Sequence, residues 1–248
     1  MLTPEEHAVL RQTFRLRVIA GADARSMPAE HVLDEQRCRA LLHRVMPLTG
    51  APDMAIAASL FSKRLAFLAT GNVLYALSVF DKGLKLSLSS CRLEYAHDDG
   101  LWTSSLPADI GATGYLPGER DAWREGVVES LFSGFLSPVW QSLAQVSGLP
   151  VQILWENTSV RVFSLYEGRM NRLDEKQEQR READFNWLIG QASPSLFGLP
   201  WNPLKRFRRP LQQNAAGQSV RFRRTCCFYY KATDPAEYCL NCPLCRRK

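Results

Sequence analysis

Five of the seven cysteines of this chain lie in its last two dozen residues, as Cys226-Cys227-x11-Cys239-x2-Cys242, with Cys245 following Pro243 and Leu244. This is metal-ligand spacing, and it constrains the chain more than any other feature. Thiolates two residues apart can converge on one metal across a tight turn, and soft sulfur donors select zinc, copper(I) or iron-sulfur clusters over harder ions. The other two, Cys38 and Cys91, are isolated and read as small buried hydrophobes.

Whether such cysteines act as ligands or form disulfides depends on the compartment. The N-terminus, Met1-Leu2-Thr3-Pro4-Glu5-Glu6, has no basic start followed by an apolar run, which argues against a secretory signal, so the expectation is a cytoplasmic protein. An odd-numbered group of thiols in a reducing compartment reads as ligands first. The longest apolar stretch, Leu65 to Phe80, is broken by Thr70, Gly71 and Asn72 and flanked by Lys63, Arg64, Asp81 and Lys82. It is too short to span a bilayer and reads as a buried helix. With 248 residues, 46% of them hydrophobic, the chain can bury a substantial core as one large domain or two moderate ones.

Charge is unevenly spread. From Leu199 onward eleven Lys or Arg face only Asp234 and Glu237, a net +9, which leaves −3 for the rest of a chain whose total is +6. Whatever approaches the cysteines is therefore expected to be acidic, unless the charge serves the cluster itself. Lys205-Arg206-Phe207-Arg208-Arg209 could neutralise phosphates, but so short a run reads first as a solvated face.

Thr3 and Glu6 form a capping box with Pro4 in the first turn, predicting a helix from there to about Ala20. Val32 to Met46 reads as a second helix and Pro47 to Asp53 as a turn. Met54 to Phe80 reads as a long helix capped by Asp53, with Gly71 as a weak point. Alternation at Leu84, Leu86 and Leu88, and at Leu93 and Tyr95, changes the period to that of strands. The turn His97-Asp98-Asp99-Gly100 then predicts a hairpin with Leu101 to Leu106. Pro107 to Gly118 reads as a linker, and its Gly111-x2-Gly114 lacks the dinucleotide-binding context. Further helices are expected over Glu119 to Val146, bent near Pro138, from Pro150 to about Gly168, and over Asp174 to Ile189. A proline-rich basic connection then leads into a strand, Ser219 to Arg224. The fold class is α+β, mostly helical with a small antiparallel sheet or hairpin and a C-terminal iron-sulfur cysteine segment. Its parts are residues 1–110 (helices plus hairpin), 119–217 (helical) and 218–248 (cluster-binding), the last integrated with the helical region.

Adjacent cysteines in an extended chain point to opposite sides, but in a bent backbone they can meet two neighbouring metal atoms. A two-iron cluster offers such a pair, whereas a lone zinc prefers ligands spaced by two to four residues. Cys239-x2-Cys242-x2-Cys245 with Cys227 also matches the pattern of a 4Fe-4S site, and zinc remains an alternative. Arg223-Arg224-Thr225-Cys226-Cys227, then Tyr230 and Lys231, then Cys239-Leu240-Asn241-Cys242-Pro243-Leu244 resemble the C-terminal signature of the FhuF-like ferric-siderophore reductases. Leu154-Trp155-Glu156-Asn157 is similar to a further stretch of that family. The resemblance implies a 2Fe-2S cluster held by Cys226, Cys227, Cys239 and Cys242. The interval after the double cysteine is eleven residues here against ten in the family, and Cys245 has no counterpart there.

The resemblance implies an iron-sulfur oxidoreductase that passes single electrons to Fe(III) held by a siderophore and releases Fe(II) in the cytoplasm. No proton-transfer residue is required, and Arg221, Arg223 and Arg224 could stabilise the reduced cluster or attract an anionic chelate. Trp155 and Asn157 read as helix packing and a polar contact. His7, His31, His43 and His97 show no metal-binding spacing, and Asp98-Asp99, Glu119 and Asp121 read as turn and helix-start residues. With no nicotinamide or flavin fingerprint, electrons are expected from a partner protein, a ferredoxin or flavoprotein reductase. No nucleic acid is expected, and peripheral contact with the inner membrane stays open. The alternatives are a zinc-stapled module for nucleic acid or protein, and an iron-sulfur sensor or carrier without reductase activity.

Overall fold

Side-chain caps set most of the helix starts. In the computed structural model, which describes residues 1–214 and 217–245, the Thr3 hydroxyl accepts the Glu6 amide while the Glu6 carboxylate accepts the Thr3 amide. This starts α1 (Pro4–Phe14). Asp34 caps α2 (Glu35–Thr49) and Asp53 caps α3 (Met54–Tyr75). Then come α4 (Arg120–Leu131), α5 (Ser137–Ser147) and α6 (Val151–Ser164). The next helix, α7 (Glu175–Gly190), opens on an Asp174–Gln177 capping box, and the short α8 (Pro203–Phe207) is capped by Asn202.

Tertiary contacts moved several boundaries. The first helix, expected to reach Ala20, stops at Phe14. Arg15 turns left-handed at φ 56°, and Leu16–Arg17 pairs in parallel with Leu106–Pro107. The second, expected over Val32–Met46, begins at Glu35 and runs on to Thr49, so Pro47 lies inside it rather than in a turn. Proline has a helical φ and forfeits only one amide bond, which a last turn tolerates. Gly50 ends this helix at φ 69°, and a Cβ there would lie 2.9 Å from the Ala232 carbonyl, so the position also seats the C-terminal segment. The long helix changes at Ala76–Phe80 into a π turn. Gly71, expected as a weak point, is a packing notch, since its Cβ would meet the Phe14 ring at 2.4 Å. Near Pro138 the expected irregularity takes the form of a π turn, Phe132–Leu136, between α4 and α5.

The strands are short. His97–Asp98 and Leu101–Trp102 form the hairpin at the expected turn, Arg92–Glu94 pairs antiparallel with Ser26–Pro28, and Gly83–Leu84 with Ala112–Thr113. The 107–118 segment is thereby tied back to earlier elements through Pro107, Ala112 and Thr113. Ser219–Val220 pairs with Gln212–Gln213, and the expected strand to Arg224 ends there because Phe222 and Arg223 are both buried, which breaks the alternation. The class is α+β.

Buried side chains from Leu10 to Phe207 form one cluster, with α3 at its centre. That helix is buried around most of its circumference, as an apolar sequence without a polar face requires, and it packs along α6. Beside it the rings of Phe132, Trp155 and Phe197 pack against one another in tilted and edge-to-face contacts, and the Trp140 indole donates to Thr158 at 3.1 Å. A second buried group is polar. Asp184 accepts from Arg120, Arg124 and Ser78 at 2.8–3.1 Å, which satisfies a carboxylate with no solvent exposure. Among the described residues no helix is long and apolar enough to cross a membrane.

Candidate metal centre

The cysteine segment is held down by two helices that precede it in the chain by 60 to 170 residues. From α6, the Glu156 carboxylate accepts the amides of Arg224 at 2.6 Å and Thr225 at 2.7 Å, and also the Thr225 hydroxyl. Asn157 accepts from the Arg223 guanidinium at 2.7 Å and donates to the Ser59 carbonyl and to the Ser59 and Ser62 hydroxyls. From α3, the Ser59 hydroxyl donates to the Cys227 carbonyl at 2.8 Å. All of these helix residues are buried, so each must find polar partners inside the protein, and the backbone leading into the double cysteine supplies them. Phe228 then turns left-handed at φ 58° and aims its amide at Cys226 Sγ, 3.3 Å away. The chain thus bends directly after the double cysteine, and the bend brings an amide back onto the first of the two sulfurs.

Four of the thiols lie within interaction range of one another. Cys227 Sγ lies 3.8 Å from Cys239 Sγ, and Cys226 interacts with Cys242. Two sulfurs bonded at about 2.3 Å to one tetrahedral metal are about 3.7 Å apart, so the first pair already has the bite of a single metal atom. Among the described residues no three His, Cys, Asp or Glu side chains group around one ion position. Cys242 takes its place through a tight turn in which its amide donates to the Cys239 carbonyl at 2.9 Å, and the Cys245 amide donates to the Cys242 carbonyl at 3.1 Å. Cys38 and Cys91 are buried elsewhere in the core, and burial pushes each thiol up to about 11.

Electrostatics favour a thiolate at Cys227 in particular. A hydrogen bond from Cys239, with Lys63 and Arg223 nearby, holds the Cys227 thiol well below its ordinary value, and the same bond together with burial pushes Cys239 up. Cys226 is raised, chiefly by burial. Lys63 Nζ is 3.7 Å from Cys227 Sγ and 4.8 Å from the centre of the Tyr229 ring. The buried Arg223 Nε has no hydrogen-bond partner among the described residues and lies 3.9 Å from Glu156, and the Arg223 charge acts on Cys227.

Of the three arginines singled out in the sequence, only Arg223 is buried at the centre. Arg221 pairs with Glu167 at 2.8 Å, and Arg224 contributes its backbone while its side chain is exposed. Arg208, in the basic run, is likewise paired with Glu167. Trp155 is core packing and Asn157 a polar contact. Sequence reasoning missed Ser59, Lys63, Glu156 and Arg161. The available signal was Glu156, a carboxylate between apolar and amide neighbours on a buried helix.

A cleft of about 610 Å³ opens beside the thiols and shares Lys63 and Tyr229 with their surroundings. Arg64, Arg161, Arg169, Phe67, His97 and Trp102 contribute to its walls. Arg161 donates to the Lys63 carbonyl, and Arg64 donates to the Ser104 hydroxyl at 2.9 Å and to its carbonyl.

Residues 59–215 match the family described as ferric iron reductase FhuF-like transporter, and residues 223–244 match the FhuF 2Fe-2S C-terminal domain. The second match contains Cys226, Cys227, Cys239 and Cys242 and ends before Cys245. No curated protein matches the chain. With more than half of its length matched, and with paired thiols in the segment that carries the cluster, the chain belongs to the FhuF-like ferric iron reductase family and its cofactor is a 2Fe-2S cluster.

Proposed function

We propose that this protein reduces Fe(III) bound to a siderophore in the cytoplasm, with Cys226, Cys227, Cys239 and Cys242 as the ligands of its cluster. Cys227 with Cys239 would hold one iron and Cys226 with Cys242 the other. When bound, a 2Fe-2S cluster supplies one electron at a time, replenished by a ferredoxin or flavoprotein reductase. The single electron goes to the chelated Fe(III). Hard siderophore oxygens hold the resulting Fe(II) far more weakly, so reduction alone frees the metal.

The observation that carries this reading is the adjacency of cleft and thiols. Lys63 lines the cleft and sits 3.7 Å from Cys227 Sγ, so a chelate seated there is one side chain from the cluster ligands. Lys63 and Arg223 compensate thiolate charge, and the Phe228 amide donates to Cys226, both of which favour an electron-rich centre. No side chain needs to transfer a proton. The test is anaerobic: cluster-loaded protein reduced with dithionite and freed of excess reductant, a ferric siderophore, and a ferrous-specific dye. One Fe(II) released per electron stored is expected. Cluster-loaded protein that releases none from several chelate classes would leave an electron carrier or sensor instead.

A further inference from the structure

We infer that the cleft selects ferric chelates carrying net negative charge over neutral ones, an inference that refines the substrate of the proposed reductase and rests on that reading. Four cations, Lys63, Arg64, Arg161 and Arg169, line the cleft, and among the described residues no Asp or Glu does. None of the four makes an ion pair with a carboxylate among the described residues, although most of the other arginines that are packed into the structure do. Three of the guanidiniums surround one ring, at 5.2, 5.6 and 6.0 Å from the centre of Phe67. Cation–π contacts of this kind offset little of the repulsion among like charges in a partly desolvated wall.

The cluster accounts for part of this charge. Lys63 and Arg161 are both coupled electrostatically to Cys227 and Cys239. Arg64 is different, because its charged neighbours are Arg15, Arg161 and Glu94 and not the thiols. Burial, together with Arg15 and Arg161, pulls it down to about 10. Glu94 offsets part of its charge from a distance but forms no ion pair with it among the described residues, its oxygens being taken by the amide and hydroxyl of Ser105 and the amide of Asp23. Arg169, 5.2 Å from the centre of the Phe67 ring, is exposed and lines the cleft. Two cations are thus left for a ligand. Arginine stays ionised under all ordinary conditions, so the charge cannot be relieved by deprotonation. A bound anion relieves it.

An iron(III) tris-catecholate is a trianion and citrate-type chelates are also anionic, whereas a tris-hydroxamate is neutral. Phe67, Trp102 and Tyr229 in the same walls give flat aromatic donor groups a surface to stack on. The cleft volume of about 610 Å³ is that of a small-molecule site.

Reduction rates mix binding with the chelate's own potential, so the test uses redox-silent gallium(III) complexes of the same ligands on the cluster-loaded protein. Calorimetry compares a tris-catecholate, a citrate-type chelate and a neutral tris-hydroxamate of similar size at low and high salt. At least one anionic complex should bind about tenfold or more tighter than the neutral one at low salt, and the gap should narrow as salt screens it. Arg64→Gln and Arg169→Gln should each weaken anion binding about fivefold or more and leave neutral binding unchanged, with cluster absorbance as the fold control. Equal affinity for neutral and anionic complexes, or anion binding indifferent to both substitutions, overturns the inference even if the protein reduces iron. Absence of Fe(II) release from every ferric chelate, with the anionic preference intact, overturns the reductase reading alone.

Discussion

Replacing Glu156 by Gln should loosen the cysteine segment while leaving the core folded. The carboxylate accepts three hydrogen bonds, from the Arg224 and Thr225 amides and the Thr225 hydroxyl, and faces Arg223 Nε at 3.9 Å. Glutamine keeps one acceptor oxygen and turns the other into a donor that opposes an N–H or O–H. Hydrogen bonds to a buried charged group are worth about 1.5–3 kcal/mol each, so losing one outright and weakening the rest should cost about 3 kcal/mol of local stability. That corresponds to roughly a hundredfold faster exchange of the Arg224 and Thr225 amides when they open locally. Hydrogen exchange followed by mass spectrometry or NMR reads these amides directly, with α3 and α5 as internal references. In parallel, cluster absorbance under a chelator challenge should decay faster in the variant. Protection of the two amides within about threefold of wild type would refute the latch, because a single neutral hydrogen bond already accounts for more. Uniform loss of protection across the core would equally refute it, since the segment would then not be an independent unit.

Cys227→Ser and Cys239→Ser should abolish the 2Fe-2S absorption and spin-resonance signals, whereas Cys38→Ser and Cys91→Ser, buried in the main apolar core, should keep them. Cys245→Ser should also keep them, because the matched cluster domain ends at residue 244, and loss of the signal would reopen the four-iron assignment. Lys63→Met should lower the cluster midpoint potential. A cation 3.7 Å from a ligand sulfur favours the more negative reduced state, and a shift of roughly 50 mV, about 1.2 kcal/mol for one electron, is expected by spectroelectrochemical titration. No shift, or an upward one, would contradict that role. Asp184→Ala leaves Arg120 and Arg124 without their shared carboxylate and should destabilise the fold by about 3–5 kcal/mol in denaturant titration. The cluster spectrum of the still-folded fraction should be unchanged.

What the sequence settled by itself is chemistry that depends on residues close together in the chain. The double cysteine and the Cys239-x2-Cys242 pair mark the segment that matches a 2Fe-2S domain, and the caps at Thr3, Asp53 and Asp174 start helices where they stand, because a side-chain oxygen reaches amides only two or three residues ahead. Tertiary structure decided whatever depends on residues far apart. Two-residue strand pairings such as Leu16–Arg17 with Leu106–Pro107 have no periodicity to detect, and they ended α1 early. Arg223 and Arg224 are indistinguishable as letters, yet one is buried against Asn157 and the other exposed. Lys63 meets Cys227 only because α3 and α6 pack side by side beneath the C-terminal segment. Sequence spacing encodes local donors and acceptors, and burial assigns their partners, since a polar group removed from water must pair with whatever the packing brings to it.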